Sequence, residues 1–157
     1  MFRSGLLKWL VTAALILAAA FFVSRHFYQF TLIRGDSMLP AYKDGQINII
    51  NKWDRDYKAD DVVVFYCEGL KETLVKRVAA CPGDTVQIKD GVLYVNGEAG
   101  GYYRDTVFSY AGIAGEEILL AEDEYFVIGD NTEESKDSRY EAVGPVKKDD
   151  ITGKLVF

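Results

Sequence analysis

The chain has 157 residues, 49% of them hydrophobic, which is enough for one globular domain and a membrane segment. Its formal net charge is −6, and because residues 1–34 contribute +4 without any acid, residues 35–157 carry −10. An acidic body without a basic stripe argues against nucleic acid as a partner, whereas a basic N-terminus suits anionic lipid headgroups.

The first predicted element is a membrane-spanning helix. No charged residue occurs from Trp9 to Val23, and a span from about Gly5 to about Val23 has the roughly 20 apolar residues that a bilayer requires. A cleavable signal peptide is the alternative, because Ala18-Ala19-Ala20 resembles a cleavage site. Aromatic residues follow at once, as in the belt of an uncleaved anchor: they are Phe21, Phe22, Phe27, Tyr28 and Phe30.

Charges on the two sides of the span set the expected orientation. Two cationic side chains and the free amine precede it, and two cationic side chains follow it. The short N-terminus is the expected cytoplasmic side. We therefore expect a single-pass protein of the cell membrane, with residues 1–28 as cytoplasmic stub, anchor and juxtamembrane segment, and residues 29–157 as an extracytoplasmic β domain.

Strand patterns dominate the chain after the anchor. The run Asp61–Cys67 contains Val-Val-Val-Phe-Tyr, which suits a strand buried on both faces, and Asp90-Gly91 is a tight-hairpin signal. Short strands separated by Gly and Asn turns predict an antiparallel sandwich or barrel, with residues 98–120 as a loop or small lobe. The predicted strands are Gln46–Trp53, Asp61–Cys67, Leu74–Ala80, Thr85–Lys89, Val92–Val95, Glu124–Ile128 and Ile151–Phe157.

Lys76 lies in one of these strands, where alternation places it on the same face as Leu74, Val78 and Ala80. Apolar neighbours disfavour a charged amine, so burial lowers its pKa and lets it act as a general base near neutral pH. The alternative is structural, because a Lys-Arg pair on an exposed edge strand blocks aggregation.

Ser37 lies in a constrained turn between Gly35 and Pro40. Its own N–H, with neighbouring donors, is placed to bind a developing oxyanion. The single histidine, His26, falls in the juxtamembrane segment, so a Ser-His-Asp arrangement is nearly unavailable and Ser-Lys is the remaining common option. An ordinary polar turn is the alternative for this serine taken by itself.

The two cysteines are expected to be free thiols. A hairpin of Val62–Cys67 with Leu74–Ala80 places Cys67 opposite about Thr73 and Cys81 at the far end, beyond the roughly 7 Å that a disulfide allows between Cα atoms. Two cysteines and one histidine also argue against a zinc site.

Three boxes of the sequence carry a family resemblance. They are Gly-Asp-Ser-Met-Leu-Pro at 35–40, Val-Lys-Arg-Val-Ala-Ala-Cys-Pro-Gly-Asp at 75–84, and Gly-Asp-Asn-Thr-Glu-Glu-Ser-Lys-Asp-Ser-Arg at 129–139. In this order they resemble the Ser-Met-x-Pro, Lys-Arg…Pro-Gly-Asp and Gly-Asp-Asn…Ser-x-Asp-Ser-Arg boxes of bacterial type I signal peptidase, in its compact single-anchor form. The resemblance extends over nearly the whole chain and includes the anchor.

The resemblance implies a mainly β fold, with an antiparallel coiled-sheet or barrel-like catalytic domain and one N-terminal transmembrane helix. It implies that Ser37 is the nucleophile, that Lys76 is the general base, and that Ser135 hydrogen-bonds the lysine and orients it. Four charged residues are implied to brace the site through ion pairs, with solvated loop charge as the alternative: they are Arg77, Asp130, Asp137 and Arg139.

Three positions depart from the family pattern. Ala41 stands where many members have Thr, and Thr132 stands where Arg is usual. Gly35 occupies the place where some members have a Ser that assists the oxyanion hole, so the hole is expected to rest mainly on backbone N–H groups.

The implied reaction is removal of signal peptides of the Ala-x-Ala type from secreted preproteins by a membrane-anchored serine endopeptidase. The substrate is expected to lie extended against a strand edge near Leu32–Asp36. A lipid bilayer is the other expected partner, and no metal or cofactor is implied. The alternatives are a Ser-Lys peptidase specialised for pilin or surface-protein substrates and an inactive homologue that acts in assembly.

Overall fold

The computed structural model describes residues 2–156. Its first element is helix α1 (Phe2–Phe27), of which the segment Leu7–Phe27 has 21 residues, a mean hydropathy of 2.0 and no buried part. At about 1.5 Å per residue this segment is about 31 Å long, close to the bilayer's hydrocarbon core of about 30 Å. The helix therefore fits a single-pass membrane anchor, and it ends at Phe27 rather than at Val23.

Eleven strands follow in the described residues. They are β1 (Tyr28–Leu32), β2 (Ile47–Asn51), β3 (Val62–Cys67), β4 (Glu72–Ala80), β5 (Thr85–Lys89), β6 (Val92–Val95), β7 (Glu98–Ala99), β8 (Ile118–Leu119), β9 (Glu124–Ile128), β10 (Val146–Lys147) and β11 (Ile151–Val156). The seven strands expected from the sequence are all present, with ends within two residues of the expected ones. The predicted last residue, Phe157, lies outside the described part of the chain.

Seven strands form one antiparallel sheet in the order β1-β2-β11-β3-β4-β9-β10. The apolar residues Val62–Phe65 of β3 are all buried, as expected for a strand covered on both faces. Strand β4, which carries Lys76 and Arg77, lies inside this sheet between β3 and β9. The edge-strand alternative for the Lys-Arg pair is therefore wrong.

A bulge in β4 changes its alternation near the end of the strand. The pairing of β4 with β9 shifts between Val78 and Ala80. Val78 packs in a cluster with Phe65, whereas Ala80 packs in a second cluster with Phe126. The face expected to hold four alternate residues therefore ends at Val78, because the extra residue of the bulge redirects Ala80.

Four strands form a smaller sheet in the order β7-β6-β5-β8. Its β5–β6 hairpin turns at Asp90 and Gly91, which both have positive φ (52° and 76°), as the Asp-Gly signal predicted. Between β7 and β8 the chain runs through a loop with buried Tyr103 and Phe108 and a 3₁₀ turn at Gly112–Gly115. This loop contacts the third sequence box, because the Ile113 N–H donates to the backbone oxygen of Arg139 at 2.9 Å.

Both cysteines are free thiols in the described chain. Cys67 pairs across the β3–β4 ladder with Glu72, one residue from the expected partner. Its S–H donates to the backbone oxygen of Ala142 at 3.5 Å. Burial raises the pKa of the Cys81 thiol, so this sulfur does not lie in an environment that activates it.

Candidate active site

The loop that carries Ser37 is held on both sides. Gly35 has φ of 77°, a left-handed conformation that glycine adopts without strain, and its N–H donates to Asp44 Oδ1 at 2.8 Å. Met38, only 1% exposed, inserts its side chain into the core. From the third box, the Asn131 N–H donates to the Ser37 backbone oxygen at 3.0 Å. The backbone at Ser37 is thus held in place by the buried Met38 side chain and by the hydrogen bond from Asn131 of the third box.

Lys76 reaches this serine. Its Nζ lies 2.8 Å from Ser37 Oγ, and the lysine is only 2% exposed. Burial lowers the pKa of Lys76 from 10.5 to about 8, although Asp137, Glu72 and Asp130 act in the opposite direction. The expectation that Lys76 has only apolar neighbours was therefore incomplete. The nearby carboxylates raise its pKa again and so offset part of the decrease that burial causes.

A pKa of about 8 leaves roughly a tenth of the amine neutral at pH 7 and most of it neutral above pH 9. The observed distance between Nζ and Ser37 Oγ is within the range that general-base catalysis requires. The Ser37 backbone N–H donates no hydrogen bond to any described residue. This N–H is therefore a candidate donor to an oxyanion.

Arg77 projects from the same strand into a different set of contacts. Its Nε and one terminal nitrogen donate to the two carboxylate oxygens of Asp130, each at 2.7 Å, and the other terminal nitrogen donates to Asp60 O at 2.8 Å. Tyr102 covers the pair, with its ring 3.9 Å from the guanidinium and its hydroxyl 3.2 Å from Asp130. Burial alone would lower the pKa of Arg77, but Asp130 raises it above its usual value. This bidentate pair joins β4 to the end of β9.

A second ion pair lies inside the third box. Arg139 and Asp137 are both 0% exposed. The Nε and one terminal nitrogen of Arg139 donate to Asp137 at 2.8 and 2.9 Å. The same terminal nitrogen also donates to the backbone oxygen of Thr132, and the other terminal nitrogen donates to the backbone oxygen of Tyr110. Asp137 also accepts the Gly129 N–H at 3.0 Å. All four charged side chains of the two ion pairs are largely enclosed. The alternative hypothesis, that these residues are solvated charges on a loop, is therefore wrong.

Ser135 differs from its expected geometry. It is 2% exposed, and its hydroxyl has no hydrogen-bond partner among the described residues. The bond to Lys76 expected from the family resemblance is therefore not formed in this structure, because the Lys76 amine is directed at Ser37 Oγ. Gly129 separates the two serines: a Cβ there would clash with Ser135 Oγ and lie 2.6 Å from the Ser37 backbone oxygen.

Two contacts of the site were missed by sequence reasoning. Tyr102 lies in the segment 98–120, where no periodicity marked it, and only the folded loop shows that it covers an ion pair. Ser138 lies in the third sequence box, but no role was predicted for it. Its hydroxyl accepts the Val127 N–H at 3.0 Å and its own N–H donates to the Val127 oxygen at 3.0 Å, which pairs the box with β9.

A groove of about 390 Å³ leads to Ser37. One wall is the segment 31–34, from the end of β1, and the other is the segment 72–76 of β4, with Met38 at its base. Strand β1 is the edge of the main sheet, so this wall ends in backbone groups that an extended chain is able to reach.

Comparisons with known proteins indicate the same family as the three sequence boxes. A sequence model of the family described as signal peptidase, peptidase S26, matches residues 6–157. The chain is 32% identical to signal peptidase I P of Bacillus subtilis subsp. natto over 168 residues, and 33% identical to signal peptidase IB of Staphylococcus aureus (strain Mu50) over 174 residues. Each alignment covers 99% of this chain and 90% of the relative.

Among solved structures, a signal peptidase I from Enterococcus faecalis V583 aligns with a TM-score of 0.52 and 27% identity, over 64% of this chain and 97% of that one. The fold and its relatives define a peptidase of mainly antiparallel β structure with one N-terminal apolar helix. The chain belongs to the signal peptidase family, peptidase S26, a family of membrane-bound enzymes that remove signal peptides. The family resemblance and the fold class expected from the sequence are thereby confirmed.

Proposed function

We propose that this protein is a membrane-anchored serine endopeptidase that removes signal peptides with a Ser37–Lys76 dyad. One observation carries the proposal: the Lys76 amine, 2% exposed, lies 2.8 Å from Ser37 Oγ at the floor of a groove. A buried amine with a pKa near 8 supplies a base without histidine, and His26, in the last turn of α1, is not part of the groove.

In the proposed reaction, neutral Lys76 accepts the proton of the Ser37 hydroxyl while Oγ forms a bond to the scissile carbonyl carbon. The carbonyl oxygen becomes an oxyanion, which accepts a hydrogen bond from the Ser37 N–H. The Lys76 ammonium returns the proton to the leaving amine as the peptide bond breaks. A water molecule, deprotonated by Lys76, then hydrolyses the acyl-enzyme and releases Ser37.

The remaining site residues are proposed to position this dyad. Ser135 is proposed to orient Lys76, through a hydrogen bond that its buried, unpartnered hydroxyl gains when the amine turns towards it. The ion pairs Arg77–Asp130 and Asp137–Arg139 are proposed to hold the ends of β4 and β9 and the box 129–139 in register. These four charged residues have no proposed contact with substrate.

We propose that the signal peptide lies extended in the groove, against the wall near Leu32–Asp36, with small side chains of the Ala-x-Ala type facing Ser37. Main-chain pairing to an edge explains how one enzyme accepts many sequences.

The position of α1 supports a groove close to the bilayer, with the N-terminus cytoplasmic and residues 29–157 outside. Protease added to intact cells is expected to digest the β domain, whereas digestion only after lysis would reverse this orientation.

The dyad is tested with a preprotein carrying an Ala-x-Ala site, cleaved by the full-length enzyme in detergent. Ser37→Ala and Lys76→Ala are each expected to reduce kcat by at least about 10³-fold, the scale for loss of a nucleophile or its base. Exposed Ser109→Ala and Lys43→Ala serve as matched controls and are expected to retain activity. Retained cleavage in either dyad variant would remove that residue from the mechanism.

Sequencing the products decides between the alternatives. Cleavage of general secretory precursors after Ala-x-Ala is expected. Cleavage confined to pilin or surface-protein precursors would indicate the specialised peptidase, and a folded protein without cleavage of any precursor would indicate the inactive assembly homologue.

A further inference from the structure

A second cavity lies away from the groove, where α1 meets the main sheet. Its volume is about 720 Å³. Phe21 and Arg25 of α1 line one side, Phe30 of β1 and Ile49 of β2 line the other, and Lys52 follows β2 at the rim. Neither the dyad nor the two ion pairs of the active site contribute to this cavity.

The walls of the cavity are joined by specific contacts. The Lys52 N–H donates to the backbone oxygen of Phe27 at 2.9 Å, which ties the end of α1 to the end of β2. The rings of Phe27 and Trp53 pack edge to face, with centroids 4.7 Å apart. The helix end and the sheet are therefore held against each other beside the cavity.

The cavity combines apolar walls with two cations. Phe21 and Phe30 are 67% and 75% exposed, so most of their apolar surface has no protein cover. Arg25 and Lys52 form no ion pair with any carboxylate of the described chain. Unpaired cations beside uncovered aromatic surface match a ligand that is anionic at one end and apolar at the other.

Depth in the membrane selects the ligand. Because the apolar segment of α1 ends at Phe27, Arg25 and Lys52 lie at the level of the lipid headgroups when α1 spans the bilayer. Phe21, one turn earlier in α1, lies at the level of the acyl chains. We propose that this cavity binds one anionic phospholipid, with its phosphate between Arg25 and Lys52 and an acyl chain along Phe21 and Phe30.

This inference rests on the proposed membrane topology of the enzyme and not on its dyad. A lipid bound in this cavity would pack against β1, the strand whose end forms one wall of the substrate groove. It thereby fixes the height of the groove above the bilayer surface.

Fluorescence of Trp53 tests the proposal in the full-length protein. The chain has two tryptophans, so Trp9→Phe leaves Trp53, which shares its surroundings with Arg25 and Lys52. The protein is reconstituted in phosphatidylcholine vesicles that contain a small fraction of brominated phosphatidylglycerol or, separately, the same fraction of brominated phosphatidylcholine. Stronger quenching by the brominated phosphatidylglycerol is expected.

The charge variant Arg25→Gln with Lys52→Gln is expected to weaken the apparent affinity for phosphatidylglycerol by about 5- to 30-fold, the factor for one or two surface cations. The matched control, Lys89→Gln with Lys147→Gln, removes two exposed cations elsewhere on the body and is expected to leave quenching unchanged. Equal quenching by the two brominated lipids, or equal loss in both double variants, would overturn the proposal.

Two further arms separate the related possibilities. If millimolar inorganic phosphate removes the preference for phosphatidylglycerol, the cations bind free phosphate and the lipid assignment is wrong. Ser37→Ala is expected to keep the preference while losing cleavage. A failure of the lipid site and a failure of the proposed peptidase mechanism are therefore distinguishable.

Discussion

At the scale of single residues, Lys76 is a destabilising group that the proposed function requires. Burial lowers its pKa from 10.5 to about 8, so between these values the unfolded chain holds a proton that the folded protein has released. Stability therefore rises with pH across this window, and below pH 8 the full cost of burying the charged amine, on the order of 3 kcal/mol, is present.

This cost predicts the behaviour of Lys76→Met, a change of similar length without charge. The variant is expected to be inactive but to unfold at a higher temperature than the unaltered protein at pH 7, with a difference that shrinks as the pH rises from 8 to about 10.5. Thermal unfolding in detergent measures it, with exposed Lys43→Met as the control. A less stable variant at pH 7 would show that Lys76 is not strained by burial.

The two buried serines of the third box are expected to respond in opposite ways. Ser135 has an unpartnered hydroxyl, whereas Ser138 accepts the Val127 N–H. Ser135→Ala is expected to lower kcat and move its pH profile with almost no loss of stability. Ser138→Ala is expected to cost about 1–3 kcal/mol, because it leaves a buried N–H unpaired. If kcat and the pH profile are unchanged in Ser135→Ala, the Ser135 hydroxyl does not orient Lys76.

Which residues meet at the site was predictable, but how they meet was not. The boxes placed Ser37, Lys76 and the four charged residues together through a family resemblance. The rotamer of Ser135 depends on where Gly129 and Lys76 lie after folding, and local sequence carries no information on that. Tyr102 escaped notice for a related reason: its contact with Arg77 joins positions far apart in the chain.

At the scale of elements, seven of the eight described strands of four or more residues were predicted, because apolar alternation needs that length to show. Strand β1 was missed, because its residues Tyr28 and Phe30 were assigned to the aromatic belt of the anchor. The two-residue strands β7, β8 and β10 have no such pattern, and they exist only because a neighbouring strand offers backbone partners. The bulge in β4 is also a property of pairing rather than of local sequence, which is why the common face was predicted too long.

The Asp137–Arg139 pair is expected to hold the third box in its folded form. Arg139→Met leaves the Asp137 carboxylate buried with only backbone donors, which is expected to lower the free energy of unfolding by about 3–5 kcal/mol. Arg104→Met, at an exposed arginine of the nearby loop, is the matched control and is expected to have little effect. Equal stability of the two variants would show that the buried pair does not hold the box.

At the scale of the whole molecule, an apolar helix that fits a membrane anchor is joined to a β body that carries a groove. The helix ends at Phe27 and β1 begins at Tyr28, so no linker separates the anchor from the strand that leads to Ser37. In the proposed topology, this direct connection would keep the groove at a short distance from the bilayer. A preprotein held in the same membrane by its own apolar segment would meet the groove without a search in three dimensions.

The most direct test of the account is the pH dependence of kcat/KM for cleavage of a preprotein by the full-length enzyme. Because the proposed base works only when neutral, the rate is expected to rise through a single deprotonation with an apparent pKa of about 8 and to level off above it. A rate that stays constant from pH 6 to 10, or the same rising limb in Lys76→Ala, would contradict the claim that Lys76 is the base.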